Sequence, residues 1–411
     1  MKRSGVIGAG IVGLATALSL QESGRQVVLI DRLLPGEGTS SGNAGIISTG
    51  AVHPESMPGI WKEIPAMTLN RMAPVRLRPG YLLEFLPWLA RFLRNGNEQT
   101  AEQASIAISA LSSSALLHFE PLLCKADAKQ LIRQHGTLYI YETEAEFAKA
   151  KEECAYRDRR GIVYQLLDAA ALQKLEPSLG ANLAGAILTP NSAHTISPLA
   201  LSRKFFELFQ QQGGEYIQAH VNGFSRDSNR VSAIQAGQHI SIDEVFVTAG
   251  AYSGNLAKQL GSKVPLDTER GYHLMLPQPG IELHHNLIFP VRGFAATSMQ
   301  NGLRLAGTVE FAGLDAAPDY SRAECLAKCA AAVLPGLKTD DGECWMGFRP
   351  SVPDSIPVIS ASPHYQNAFF GFGHGHLGLT QSAITGAILA ALADGKEPPV
   401  DCEPYRIDRR W

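Results

Sequence analysis

The six cysteines of this 411-residue chain, at 124, 154, 325, 329, 344 and 402, form no Cys-x-x-Cys pair. That absence removes the common zinc and iron–sulfur ligand spacings and fits a compartment that keeps thiols reduced. Cys325 and Cys329, four positions apart, share a helical face as packing residues rather than metal ligands. A basic excess is also missing. The 36 Lys and Arg stand against 39 Asp and Glu, a net charge of −3, which leaves no electrostatic footprint for nucleic acid. No internal repeat or low-complexity linker occurs, and no stretch approaches the ~20 uninterrupted apolar residues of a membrane span. Lys2 and Arg3 ahead of an apolar run to Leu20 imitate a secretory signal, but four glycines break that run. What remains, 45% apolar and 18% charged, is a globular chain long enough for two domains or one large one.

The most informative stretch begins at Val6. An apolar strand runs into Gly8-Ala9-Gly10-Ile11-Val12-Gly13, a helical segment follows, and Val27-Val28-Leu29-Ile30 ends in Asp31. This is the spacing of a dinucleotide-binding unit. Gly8 serves the tight turn, Gly10 lets backbone approach a pyrophosphate, and Gly13 lets helix and strand pack closely. The pyrophosphate would sit at the helix N-terminus beside Ile11 and Val12, where free N–H groups favour negative charge. Asp31, followed by Arg32, is placed to accept hydrogen bonds from a ribose. The next segment, Leu34 to Gly45, is a loop of small residues that can press N–H groups and short hydroxyls against a ligand.

Further along, residues 60 to 160 read as mainly helical, with helices over 81–94, 101–123 and 142–160 and a strand over 136–141. The segment from Tyr81 to Arg94 is strongly apolar and basic at its end, so it is a candidate for contact with a membrane surface. A helix from Pro198 to Gln212, a strand over 216–221 and a hairpin over 230–242 follow. Glu244 to Ala251 is a buried strand ending in small residues, and 323–334 is helical. Residues 265 to 311 read as further strands, including 273–276 and 303–307, with Glu269-Arg270-Gly271-Tyr272-His273 just before the first of these. These elements predict an α/β fold in which a Rossmann-like domain is discontinuous, spanning 1–50, 195–265 and 340–411. An α+β domain made of 51–194 and 266–339 is inserted.

The C-terminal part contributes a second anion-friendly turn. Gly371-Phe372-Gly373-His374-Gly375-His376-Leu377-Gly378-Leu379-Thr380 opens a helix whose free N–H groups form another electropositive site. Two such sites suit a flavin dinucleotide, because a reduced flavin carries negative charge near its pyrimidine carbonyl. His374 and His376 have no third ligand nearby, so no metal is expected. Arg349, framed by Phe348 and Pro350, is a candidate carboxylate clamp, since a planar guanidinium grips two oxygens at once.

Together these segments resemble the FAD-dependent D-amino-acid oxidase superfamily over nearly the whole chain, and most closely its bacterial D-amino-acid dehydrogenases. The resemblance rests on Gly8 to Gly13 with Asp31, on Thr39 to Gly45, and on Arg270 to His273. It continues through Gly347-Phe348-Arg349-Pro350, Pro353-Asp354 and Gly373 to Gly378. It implies that Gly8, Gly10, Ile11, Val12 and Gly13 hold the FAD pyrophosphate and Asp31 and Arg32 the adenosine ribose. Ser40, Ser41, Asn43, Ala44, Gly45 and Ile47 would line the ribityl chain and flavin edge. Val221 would meet adenine, Ala249 and Gly250 would close over the pyrophosphate, and Gly375, His376, Leu377, Gly378, Leu379 and Thr380 would face the flavin pyrimidine ring.

Relatives with covalent flavin have a cysteine where Gly347 falls here, which implies noncovalent FAD, with Cys344 close enough in sequence to need checking. Arg349 would clamp the substrate carboxylate, with Tyr272, His273 and His374 as further catalytic candidates and His53 a weaker one. The implied reaction is hydride transfer from a D-amino acid to flavin N5, giving an imine and then a keto acid and ammonia. An alternative is a dehydrogenase of cyclic amino acids such as D-proline or hydroxy-D-proline, as one subunit of an electron-transfer complex. The expected acceptor is a quinone or another carrier, and the expected location is cytoplasmic, with a candidate peripheral contact on the inner face of the cell membrane. A noncatalytic or tRNA-modifying flavoprotein and a nicotinamide-linked dehydrogenase are the competing classes.

Overall fold

The computed structural model describes residues 1–63 and 73–411; the part of the helical expectation that falls on 64–72 lies outside them. Strand β1 (Arg3–Ile7) leads through Gly8 to Gly10 into helix α1 (Ile11–Glu22) and on to strand β2 (Gln26–Asp31). Gly8 takes a φ of +106°, and a Cβ there would lie 2.5 Å from the Thr248 carbonyl oxygen, so only glycine makes this turn. β1 and β2 pair in parallel at the centre of a six-stranded sheet. Glu215–Gln218 lies outside β2, while Glu244–Val247, Ala368–Phe372 and Val358–Ala361 follow on the other side of β1. Only the last strand is antiparallel.

Both faces of this sheet are covered, as parallel strands require. One face packs α1 and the C-terminal helix through Leu14, Leu18, Ile384 and Ile388. The other packs a three-stranded sheet (223–241) through Ile7, Val28, Ile30, Val231 and Ile234.

A second, nine-stranded sheet is mostly antiparallel. Three of its strands matter for the site: β3 (Asp267–Leu276), β4 (Gly302–Phe311) and β5 (Glu343–Ser351), with β3 in the middle. Thr137–Tyr141, Gln165–Asp168, Gly185–Thr189, Asn286–Phe289 and Phe294–Met299 extend it, and Val75–Leu77 pairs with β4. Helix α2 (Gly378–Asp394) ends the second glycine turn.

The structure differs from the sequence reading in three places. Glu269 to His273 lie inside β3 rather than before a strand, because partners on both faces of the sheet accommodate charges that look like a loop signal. The expected helix over 101–123 divides into Glu98–Ser112 and Ala115–Lys125, where serines at 112, 113 and 114 compete for backbone hydrogen bonds. The strand expected over 216–221 stops at Gln218, one residue before the Ala219 N–H donates to the Asp31 carbonyl.

Candidate active site

Between the two large sheets lies a cavity of about 1110 Å³, just above the ~300–1,000 Å³ typical of small-ligand sites. Gly8 to Val12, Asp31 and Arg32 line one region; Gly375 to Thr380 line another. The first turns of α1 and α2 carry no acidic side chain, and neither helix has a side-chain cap. Both positive helix ends therefore present N–H groups to electron-rich groups in one continuous space, with the Ile11 N–H of the first taken by Ser40. Asp31 braces the first turn: its Oδ2 accepts the Ala9 N–H at 2.7 Å and its Oδ1 the Leu33 N–H at 3.0 Å. Ser40 Oγ accepts the Ile11 N–H at 2.9 Å, tying the small-residue loop to the helix.

Most of the expected cofactor residues line this cavity, including Gly10, Ile11, Val12, Ser40, Asn43, Ala44, Val221, Ala249, Gly250 and Gly347. Gly13, Ser41, Gly45 and Ile47 do not, and their places explain why. A Cβ on Gly13 would sit 1.8 Å from the Gly8 carbonyl oxygen, so this glycine serves close packing. Ser41 Oγ donates to the Gly38 carbonyl, the Gly45 N–H donates to Asn43 Oδ1, and Ile47 is buried in the core around α1 and α2. Arg304, which the sequence reading missed, holds the loop from behind by donating to the carbonyls of Ser41 and Asn43.

The four catalytic candidates separate. Arg349 faces the cavity; its guanidinium leans across Gly271 toward the Thr308 carbonyl, and no carboxylate among the described residues pairs with it. Tyr272 lines the cavity, but its hydroxyl donates to Glu310 and accepts the Asp319 N–H, so both roles are taken. His273 is absent from the cavity wall: Nδ1 donates to the Gly42 carbonyl at 2.8 Å, and its ring stacks on Trp345 at 4.9 Å. Burial, then Arg304, pushes its pKa down to about 4, so it stays neutral. His374 reaches the cavity, but its Nε2–H donates to Thr385, whose own hydroxyl donates to Gln381. Burial lowers it to about 3. Tyr272, His273 and His374 thus each have a polar atom tied to the protein, whereas of these four Arg349 has donors not taken by a carboxylate among the described residues. Cys344 packs with the core of the nine-stranded sheet and does not line the cavity.

Several cavity residues gave no usable signal in sequence. Trp345 fills a slot left by two glycines: a Cβ on Gly42 would lie 2.4 Å from its ring, and one on Gly347 2.0 Å. Glu269, the register partner of Arg349 across β3 and β5, is buried and accepts the Ser351 hydroxyl at 2.6 Å. Burial and the nearby Glu55 raise its pKa. Glu55 pairs with His376 Nδ1 at 2.7 Å. Burial opposes both charges, but their mutual attraction wins, lowering the Glu55 pKa and raising that of His376. His53 also lines the cavity, and burial followed by Arg157 lowers it to about 4.

A glycine turn and two helix ends thus open into one chamber on whose wall Arg349 has no ion-paired carboxylate among the described residues. A profile describing FAD dependent oxidoreductases matches residues 5–392, and the chain belongs to that family. It is 32% identical over 415 residues to a D-amino-acid oxidase of Bradyrhizobium diazoefficiens, covering 98% of each chain. To a D-amino acid dehydrogenase of Vibrio cholerae it is 30% identical, covering 96% of this chain and 95% of the relative. Among solved structures, glycine oxidase from Geobacillus kaustophilus shares the fold over 100% of both chains, at a TM-score of 0.76 and 19% identity. L-proline dehydrogenase from P. horikoshii does so over 99% of this chain and 98% of its own, at 0.75 and 16%.

Proposed function

We propose that this protein oxidises the C–N bond of an amino acid, a D-amino acid foremost, with FAD held noncovalently in the cavity. The observation that carries this reading is Arg349, a guanidinium on the cavity wall with no ion-paired carboxylate among the described residues, in one space with two helix N-termini. The names of the two curated relatives support the substrate class.

The chain's residues divide the work. Gly8 to Val12 and Asp31 would hold the pyrophosphate and ribose, and the N–H groups of Gly375 to Thr380 would face the electron-rich ring. Bound FAD supplies the acceptor for the hydride that leaves the substrate α-carbon. Arg349 would take the substrate carboxylate through two parallel hydrogen bonds and fix the α-carbon by orientation. As hydride leaves, the amine lone pair forms a C=N bond, and water then yields keto acid and ammonia.

The test is anaerobic bleaching of flavin absorbance by a panel of D- and L-amino acids, comparing wild type with Arg349→Ala. The expected variant keeps its flavin and loses roughly 2–5 kcal/mol of transition-state stabilisation, as when one partner of a buried charge pair is removed. Unchanged kcat/KM would remove Arg349 from the site.

A specific observation bears on the acceptor. Helix Leu82–Asn95 buries Phe85 and Trp88 but exposes Leu82, Leu83 and Leu86, with Leu83 82% exposed. That face supports a peripheral membrane contact giving access to a quinone. Leu83→Glu should reduce co-sedimentation with phospholipid vesicles and leave flavin bleaching by substrate intact; unchanged sedimentation would count against the contact.

A further inference from the structure

Five arginines are buried among the described residues, and four of them have a plain structural partner. Arg25 donates to Glu244 and Asp394. Arg270 donates to the carbonyls of Gly313 and Ala317, Arg304 to those of Ser41 and Asn43, and Arg322 to those of Ala73, Pro74 and Val309. Arg157 is the exception. It is 4% exposed and lines the cavity, its guanidinium hydrogen-bonds the Cys154 thiol, its Nε has no partner, and no carboxylate or backbone carbonyl among the described residues accepts from its side chain. Its guanidinium lies 5.1 Å from the Tyr139 ring centroid, beside the Cys154 thiol and a neutral His53.

An arginine cannot escape such a position by losing its proton. A buried, uncompensated charge is costly, so a site that keeps one free is built to receive the opposite charge. The surroundings suit an oxyanion. The Tyr139 ring provides a flat face behind the guanidinium, and Ser48 Oγ lies 3.3 Å from the Tyr139 hydroxyl, with both residues on the cavity wall. Arg157 projects from helix Glu144–Arg159, an element separate from the strand that carries Arg349. Apart from Arg32 beside Asp31, the cavity wall thus carries two forked cations, Arg157 and Arg349, without an ion-paired acid among the described residues, and a single monocarboxylic amino acid uses only one.

We propose that Arg157 forms a second carboxylate subsite, and that the substrate is a dicarboxylic amino acid whose side-chain acid this residue holds. The inference rests on the amino-acid reading of the cavity, with Arg349 taking the α-carboxylate. Arg157 then selects the side chain. An isosteric side-chain amide would offer one acceptor oxygen and no charge, leaving the guanidinium largely uncompensated.

The experiment uses the FAD-bound protein and two readouts. The first is anaerobic flavin reduction by aspartate and glutamate against asparagine and glutamine, each in both enantiomers. Wild type should reduce at least tenfold more efficiently with an acid than with its amide. Arg157→Met should lose at least tenfold on the acids and change little on the amides, and Arg157→Lys should keep part of the preference. The second is thermal stabilisation by glutarate, a dicarboxylate with no amine to oxidise. It should raise the Tm of wild type and not that of Arg157→Met. Equal use of acids and amides by wild type, or equal stabilisation of both proteins by glutarate, overturns the subsite while leaving the amino-acid reading intact. Failure of every amino acid to reduce the flavin overturns that reading, and the subsite with it.

Discussion

The guanidinium of Arg349 occupies the space that a side chain at Gly271 would need: a Cβ there would lie 2.5 Å from Arg349 Cζ. Gly271 sits on β3 two residues beyond Glu269, the register partner of Arg349. The missing side chain lets the arginine lean away from that carboxylate and keep its fork toward the cavity. Gly271→Ala should therefore displace the clamp without touching the nucleotide turn. We expect normal flavin content and a kcat/KM for amino acids lowered roughly 100-fold, the scale of a ~1 Å misplacement. Steady-state kinetics beside the flavin spectrum would test this, and full activity would show that the arginine needs no such room.

Asp31, the proposed ribose ligand, also has a structural duty, because its carboxylate satisfies the Ala9 N–H in the glycine turn. Asp31→Ala leaves that N–H without its partner, a loss of about 1–3 kcal/mol. FAD affinity should fall roughly ten- to hundredfold, measured by titrating apoprotein with FAD.

His374 predicts an acid-sensitive fold. Burial lowers its pKa to about 3 in the native state, so the unfolded chain, with an ordinary histidine near 6.5, binds the proton more readily. Its contribution is fully present above the unfolded value and is lost as pH falls from about 6.5 toward 3. The slope is roughly 1.4 kcal/mol per pH unit. A His374→Gln variant should show a flatter decline of Tm between pH 6.5 and 4. Identical slopes would mean that His374 escapes to solvent before the chain unfolds.

The pair Arg25–Glu244, at 2.7 Å with both side chains buried, joins the end of α1 to the central sheet. Burial alone would raise the Glu244 pKa, but hydrogen bonds from Arg25 and Lys2 outweigh it and hold the carboxylate below its ordinary value. Its stabilisation is thus present above the ordinary carboxylate pKa and lost as pH falls through the lower native one. Glu244→Gln should cost about 3–5 kcal/mol at neutral pH, since it leaves Arg25 with only Asp394, and denaturant unfolding would measure it.

The residues legible in sequence are those whose chemistry is local. Gly8, Gly10 and Asp31 are recognisable because strand, turn and helix follow each other within one βαβ unit, and Gly375 to Thr380 because a glycine turn opens an apolar helix. Arg349 stood out through its neighbours Phe348 and Pro350. Glu55, Arg157, Glu269 and Trp345 carried no such mark. A glutamate in a loop or an arginine near a helix end looks like an ordinary solvated charge until distant segments close around it. Tyr272 and His273 were legible as a pair, but alternation along β3 sends their polar atoms to different partners, Glu310 and the Gly42 carbonyl.

Sequence by itself determined the nucleotide turn, the second helix end and the family, because short-range geometry and glycine's lack of a side chain specify them wherever the rest of the chain goes. Only the tertiary structure decided which charges stay unpaired in the cavity. Pairing depends on side chains from strands and helices hundreds of residues apart, and a buried cation acquires its meaning from the carboxylates that fail to reach it.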